Sequence, residues 1–350
     1  MAEQKAYNVA VVGATGAVGQ KIIGILEREP FSIGEVKLLS SKRSAGKVLQ
    51  FAGKDITVEE ATTESFKGID FAFFSAGGSV SIKLAPEAAK QGAIVIDNTS
   101  AFRMDEGTPL VVPEVNCEDI KMQKGIIANP NCSTIQMVAA LKPIKEAFGL
   151  TRVIVSTYQA VSGAGNEAVK ELKEQTRNYL EGKEMTANIL PAGSDKKHYP
   201  IAFNALPQID VFQDNGYTFE EMKMINETKK ILHDPNLHVA ATCVRLPFIS
   251  SHAESVYVEV EKEGLSVADL HKVLEKADGV ILQDNPSEQI YPTPLEAMSK
   301  DEVFVGRVRK DPDNAKGFHM WIVSDNLLKG AALNSVQIAK AMIKNNYLNS

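Results

Sequence analysis

The chain is poor in the features that define several broad protein classes. Its 350 residues include three cysteines, Cys117, Cys132 and Cys243. These are too few and too scattered for a disulfide framework or a zinc site, and no metal is expected. No apolar run reaches the length of a membrane span, and the opening MAEQKAYNV lacks the apolar core of a secretory signal, so the expected location is the cytoplasm. Basic residues are not in excess. The net charge is −6, which argues against a nucleic-acid binder, because such a protein needs a basic face. Internal repeats and low-complexity linkers are also missing. What is present is an ordinary apolar and charged composition, with enough length for two closely docked domains that each have a core.

The first domain announces itself at once. Val9 to Val12 is a continuous apolar run that meets Gly13-Ala14-Thr15-Gly16-Ala17-Val18-Gly19. A helical pattern follows through Ile22, Ile23, Ile25 and Leu26, with Pro30 as its expected stop. Strand, glycine turn and helix open a dinucleotide-binding unit, here spaced GxxGxxG. Glycines let the backbone approach a pyrophosphate, and the helix N-terminus attracts it. A tight strand–helix turn without a ligand is the plainer alternative. The second strand, Val36 to Leu39, is followed by no acidic residue to bind ribose hydroxyls. Ser40, Lys42, Arg43 and Ser44 follow instead, a set that suits a 2′-phosphate and so NADP, or else forms a solvated basic loop. Alternation continues with a strand at Asp70 to Phe74 ending in Ser75-Ala76-Gly77-Gly78, a helix from Ser81 to Gln91, a strand at Ala93 to Ile96 and a short strand at Leu110 to Val112. This pattern predicts a parallel sheet wound with helices on both faces, with ligands at its carboxyl edge. Arg103 falls in one of those edge loops, either as a surface arginine or as an anion ligand.

Ile126-Ile127-Ala128, then Asn129-Pro130-Asn131-Cys132-Ser133-Thr134, then a helical pattern, place Cys132 at a helix start. Unpaired N–H groups and the helix dipole favour an anion there, and the thiolate is the nucleophilic form. A free cysteine can equally be a small buried hydrophobe. Beyond it the texture changes. Thr151 to Val161 is one β-rich run leading into Ser162-Gly163-Ala164-Gly165, and a helix spans Asn166 to Leu180. Residues 182–214 are irregular. Thr218 and Glu221 form a capping box, which leaves Glu220 and Lys223 together on one helix face. Strands are expected at His238 to Leu246, Ser255 to Val260, Val303 to Arg309 and His319 to Val323, giving a largely antiparallel second sheet. A final helix from Asn326 to Tyr347 is expected to pack back on the first domain.

Taken together, VVGATGAVG, SSKRSAG, NPNCST, YQAVSGAG, EEMK and RLPFISSH, in that order, resemble the aspartate-β-semialdehyde dehydrogenase family over essentially the whole chain. The resemblance implies an α/β protein. Residues 1–131 with 326–350 would form a Rossmann-type NADP-binding domain, and residues 132–325 an α+β catalytic and dimerisation domain. It implies that Cys132 is a nucleophile forming an acyl-enzyme, that Gln159 orients substrate beside it, and that His252 is a general acid/base of near-neutral pKa. Arg245 and Glu220 would partner the substrate carboxylate and amine, and Arg103, Asn131 and Lys223 the phosphate. Gly13, Thr15, Gly16, Ala17, Val18, Ser40, Arg43, Ser44, Ser75, Gly77, Ser162, Gly163 and Asn326 would line the cofactor site. The implied reaction is NADPH-dependent reductive dephosphorylation of L-aspartyl-4-phosphate to aspartate semialdehyde and phosphate, on the route to lysine, threonine, methionine and diaminopimelate. The implied assembly is a homodimer or dimer of dimers. N-acetyl-glutamyl-phosphate reductases share this architecture but carry their nucleophile in a GCYPT-like context. A non-catalytic NADP-binding regulator would open the same way without needing a nucleophile.

Overall fold

The computed structural model describes residues 5–28 and 32–349; Pro30 lies outside them. The chain divides into two compact units, Met1–Asn131 with Ala331–Ser350, and Cys132–Gly330. Residues 326–330 thus fall with the second unit. Among the described residues no helix is long and apolar enough to cross a membrane.

The first unit is built on β1 (Tyr7–Val12), α1 (Ala17–Arg28), β2 (Ile33–Ser40), the hairpin β3 (Val48–Phe51) and β4 (Lys54–Thr57), β5 (Glu59–Glu60), β6 (Phe71–Phe74), α2 (Gly78–Lys90), β7 (Ile94–Asp97), the short helix α3 (Pro113–Asn116) and β8 (Ile126–Ala128). Six strands form one sheet in the order β5-β2-β1-β6-β7-β8, with each neighbouring pair parallel. Val9 to Val12 are fully buried, as expected of a parallel strand covered on both faces. Strand order reverses between β1 and β6, so their carboxyl ends open a crevice there. The expected strand Leu110 to Val112 is only a single bridge, Leu110 to Ala128. Pro109 and Pro113 bracket it, and a proline cannot donate to a ladder.

The second unit opens with α4 (Cys132–Phe148) and β9 (Arg152–Gln159), followed by α5 (Asn166–Leu180), α6 (Phe219–Ile231), β10 (His238–Arg245), β11 (His252–Glu259), α7 (Val267–Leu274), β12 (Val280–Leu282), α8 (Pro294–Ala297), β13 (Val303–Lys310) and β14 (Gly317–Ser324). Its sheet has the order β10-β9-β11-β14-β13-β12. The three central pairs are antiparallel and the two outer ones parallel, so the expected antiparallel sheet is in fact mixed. Strand alternation sorts its side chains. Thr157, Gln159, Cys243, Arg245, His252, Glu254 and Ser324 point to the buried face, and α4 packs against β13, β14, α6 and α7. The opposite face carries Ile154, which is exposed, and the Tyr158–Trp321 ring contact. β11 begins at His252, three residues earlier than the apolar pattern predicts, because the polar residues His252 and Glu254 occupy inward positions.

The last segment is a π-turn, Leu328–Ala332, followed by α9 (Leu333–Lys344), instead of one unbroken helix from Asn326. α9 belongs to the first unit and packs on α1 and β7, with Val336, Ala339 and Met342 buried.

Candidate active site

In the first unit the glycine turn is shaped by close approach. Gly13 has φ +91°, and a Cβ on it would lie 2.9 Å from the Ser75 carbonyl. A Cβ on Gly19 would meet the Gly13 carbonyl oxygen at 2.2 Å, so helix and strand can pack this tightly only with glycine. Thr15 Oγ1 and Ser40 Oγ are 3.0 Å apart, tying the turn to the end of β2. A cavity of about 560 Å³ at these carboxyl ends is lined by Gly13, Thr15, Gly16, Ser40, Lys42 and Ser75. Ala17 and Val18 begin α1, and Gly77, at φ 96°, is the N-cap of α2. Arg43 is exposed and Ser44 buried on the turn that follows Ser40. Neither lines the cavity, whereas Lys42 and Glu60 do. Glu60 was not visible as a candidate in the sequence. It lies twenty residues beyond β2 and reaches Ser40 only because β5 pairs with that strand.

Arg103 is not a surface arginine. It is buried, donating from Nε to the Asn129 carbonyl at 2.9 Å and from Nη2 to the Asn98 carbonyl at 2.8 Å. It therefore braces two loops at the carboxyl edge, one of them the turn that carries Asn131, itself buried.

In the second unit Cys132 is the first residue of α4, and its Sγ lies 3.2 Å from His252 Nε2. The neighbouring sheet positions bring Arg245 and Gln159 alongside. Gln159 donates from Nε2 to Glu220 Oε1 at 3.0 Å and to Ser133 Oγ at 3.1 Å. A carboxylate can only accept, so the amide nitrogen must face Glu220. Oε1 of Gln159 is then a buried acceptor without a hydrogen-bond partner among the described residues. Lys223 contacts Glu220 at 3.2 Å and Asp210 at 3.0 Å. The capping box is as expected: Thr218 N donates to Glu221 Oε2 at 2.7 Å, and Cys243 N donates to Glu221 Oε1 at 3.0 Å.

Arg245 donates from Nη1 to the Ala160 carbonyl at 2.7 Å, while its buried Nε has no partner among the described residues. Burial lowers its pKa, and the charges of Glu220 and Cys132 oppose that shift. His252 departs from the expected near-neutral imidazole. Burial, and then the Arg245 charge, push its pKa down to about 3. Burial pushes the Cys117 and Cys243 thiols up.

Asn326 accepts from Ser251 N at 2.9 Å and donates to Ser162 Oγ at 3.1 Å, clamping the segments on either side of His252 and Gln159. A Cβ on Gly163 would sit 3.0 Å from Arg245 Nη1 and 3.6 Å from His252 Cε1, so glycine leaves the space over the imidazole open. In this unit three further contributors were missed by sequence reasoning. Ser133 was hidden beside the more conspicuous Cys132, and Ala160 acts only through its backbone. Gly330 is remote in sequence, and a Cβ there would lie 2.8 Å from that of Cys132.

A doubly wound sheet with a glycine turn, and a half-buried thiol beside a buried imidazole at a helix start, are the makings of a semialdehyde dehydrogenase. Family models agree: "Semialdehyde dehydrogenase, NAD binding domain" matches residues 8–123 and "Semialdehyde dehydrogenase, dimerisation domain" matches residues 141–329. The chain is 65% identical to the aspartate-semialdehyde dehydrogenase of Bacillus subtilis, over 98% of this chain and 99% of that one. It is 56% identical to that of Aquifex aeolicus, over 97% and 98%. Among solved structures, aspartate semialdehyde dehydrogenase II of Vibrio cholerae complexed with ASA superposes with a TM-score of 0.92 at 46% identity, covering 97% of this chain and 99% of that one. The Candida albicans enzyme with NADP superposes with a TM-score of 0.76 at 27% identity, over 98% and 100%. This chain belongs to the aspartate-semialdehyde dehydrogenase family.

Proposed function

We infer that the chain catalyses the NADPH-dependent reductive dephosphorylation of L-aspartyl-4-phosphate to aspartate semialdehyde and phosphate. The observation that carries this reading is the Cys132 sulfur at a helix start, 3.2 Å from His252 Nε2 and beside the buried Arg245. The Cys132 thiolate attacks the acyl carbon, the carbon–oxygen bond to phosphate breaks, and phosphate leaves behind a thioester. A nicotinamide held in the first unit would supply the hydride that this carbon takes. The carbon–sulfur bond then breaks and returns the thiolate as the aldehyde departs. Gln159, held by Glu220 and Ser133, presents its free Oε1 to the substrate. The unpartnered Nε edge of Arg245 suits a carboxylate fork, and Glu220 suits an ammonium. Arg103, Asn131 and Lys223 are assigned to phosphate, as two cations and an amide against a dianion. The first unit is assigned to the cofactor. The second is assigned to catalysis and to dimerisation through its sheet, as a homodimer or dimer of dimers. The cytoplasm is the assigned location.

The glycine turn suits a pyrophosphate, since its close packing against Ser75 and Gly13 sets the N-terminus of α1 at the carboxyl edge of the sheet, where an anion is favoured. NADP is favoured over NAD because Ser40, Lys42, Arg43 and Ser44 follow one another at the end of β2 and suit a 2′-phosphate, although Glu60 adds one carboxylate nearby. Exposure of Arg43 puts its charged hydrogen bond at the low end of roughly 1.5–3 kcal/mol. Arg43→Ala should weaken NADPH about tenfold and leave NADH nearly unchanged in a fluorescence titration. Equal losses for both cofactors would mean that Arg43 serves the turn and not the phosphate.

The direct test is phosphate-dependent reduction of NADP with aspartate semialdehyde. N-acetyl-glutamate semialdehyde, offered in the same assay, should give no comparable rate. Turnover of that substrate instead would transfer the chain to the reductase reading, and turnover of neither would favour a binding protein.

A further inference from the structure

We propose that Glu254 is a positioning residue, a neutral carboxylic acid that pairs reciprocally with the Gln136 amide and so fixes the spacing between α4, which carries Cys132, and β11, which carries His252. Strand register places the residues. Arg245 pairs with Gln159, and His252 with Ser324, so these side chains make one row across the buried face of the sheet. In the next row on that face Cys243 pairs with Thr157, and Thr157 with Glu254. The helix repeats the offset. Gln136 lies one turn beyond Cys132 on the same face of α4, because residues i and i+4 of a helix are stacked. The reacting groups are therefore backed by a second polar layer, with Gln136 behind Cys132 and Glu254 behind His252.

Gln136 and Glu254 are fully buried. Among the described residues, both carboxyl oxygens of Glu254 and both Nε2 and Oε1 of Gln136 lack a hydrogen-bond partner. Yet the two side chains face each other, since the amide acts directly on the charge of the carboxyl. Donor counting decides the protonation. A carboxylate only accepts, so it would engage the amide nitrogen and leave the amide oxygen against a negative group. A carboxylic acid offers one donor and one acceptor, as the edge of a primary amide does, so a small rotation of the two ends satisfies both in a two-point pair. The surroundings agree. Burial first, and then the Glu220 charge from α6, push the Glu254 carboxyl well above the usual carboxylate range, against the smaller pull of Gln136. β10 brings the Cys243 thiol, itself pushed up by burial. β9 brings the uncharged Thr157 and β14 the apolar Ile322. On β11 the titratable neighbour is His252, and Arg245 lies one row away with Nη1 turned to the Ala160 carbonyl. A neutral acid leaves Arg245 and Glu220 to the substrate groups assigned to them, whereas an ionised Glu254 would compete with substrate for Arg245.

The charge state is read by infrared spectroscopy of the whole enzyme at about pH 8, where an ordinary glutamate, with a pKa of about 4.3, is ionised. The carbonyl stretch of a protonated acid should be present in the wild type and lost in Glu254→Gln. Linkage supplies an independent measurement. The fold holds a proton that the unfolded chain releases above about pH 4.3, so the folding constant of the wild type should fall about tenfold per pH unit relative to Glu254→Gln, until the folded pKa is reached. The Tm of Glu254→Gln should therefore draw further ahead of the wild type between about pH 6 and about pH 9. No band lost in Glu254→Gln, or a Tm difference that does not change with pH, would overturn the neutral acid. The positioning role is read by exchange. Glu254→Gln keeps a two-point pair, amide to amide, and should keep kcat. Glu254→Leu and Gln136→Leu each leave one buried partner unpaired and should lower kcat about ten- to a hundredfold, the effect of a small displacement at reacting atoms. KM for semialdehyde and for phosphate should hardly move. The double leucine variant removes both unpaired groups and should recover much of the loss. Losses that simply multiply in the double variant, or a loss in Glu254→Gln equal to that in Glu254→Leu, would show that the pair does not set the spacing. The kinetic arm rests on the semialdehyde reading of the site. The infrared band and the pH-dependent Tm do not, so an inactive chain that shows both would sink that reading and leave the acid–amide pair standing.

Discussion

Cys132→Ala should abolish turnover, by on the order of 10⁴-fold or more, because no other group can form the thioester. The fold and NADPH binding should survive. The alanine keeps the helix start and removes a single sulfur, and the cofactor cradle lies in residues of the other unit. Cys117→Ala and Cys243→Ala are the controls. Cys117 is half-buried, with its thiol raised by burial and by the neighbouring Glu118 and Glu114 charges. Cys243 is buried in the strand beside Thr157. Each should keep most activity, with Cys243→Ala costing some stability through the small cavity it leaves. Single-turnover mixing of wild-type enzyme with semialdehyde and NADP, without phosphate, should trap one acyl group per chain, and the Cys132→Ala variant should trap none. Near-normal rates from Cys132→Ala would rule out the covalent route.

The sequence made the backbone of this argument legible where chemistry and periodicity coincide. The apolar run at Val9 to Val12 and the glycines after it required strand, turn and helix, and NPNCST put a cysteine at a helix start by the same logic. Thr218 and Glu221 were legible as a capping box because the two hydrogen bonds involved are local. What stayed hidden depends on long-range pairing. Glu60 meets Ser40 only through β5, Arg245 meets Gln159 only through strand register, and Gly330 meets Cys132 from the far end of the unit. The His252 ring could be named from RLPFISSH but not its protonation. That depends on complete burial and on Arg245. Arg103 could be placed in an edge loop, but not the two carbonyls that hold it buried.

Arg245→Leu should lower kcat/KM for aspartate semialdehyde by roughly 30- to 1,000-fold, the effect of about 2–4 kcal/mol expected when one partner of a desolvated charge pair is removed. Arg245 is buried and has spent Nη1 on the Ala160 carbonyl. Its Nε has no partner among the described residues, a cost that a bound carboxylate would remove. A planar Nε–Nη edge matches the two oxygens of an α-carboxylate. Arg245→Lys should therefore be nearly as damaging, since an ammonium keeps the charge and loses the fork. In the direction of aldehyde oxidation, semialdehyde and phosphate are separate substrates, so the two anionic ends can be titrated independently. Arg245→Leu should raise the KM for semialdehyde more than that for phosphate, and Arg103→Leu or Lys223→Leu should do the reverse. Lys223 should show the smaller effect of those two, because Glu220 and Asp210 already share its charge. Part of the Arg245 loss should appear in kcat, because removing the guanidinium also frees the Ala160 carbonyl and takes a cation from beside His252 and Cys132. The discriminating quantity is the ratio of the two KM shifts for each of the three leucine variants. If Arg245→Leu raises the KM for phosphate as much as that for semialdehyde, then Arg245 serves both ends, and the carboxylate must be held by another residue.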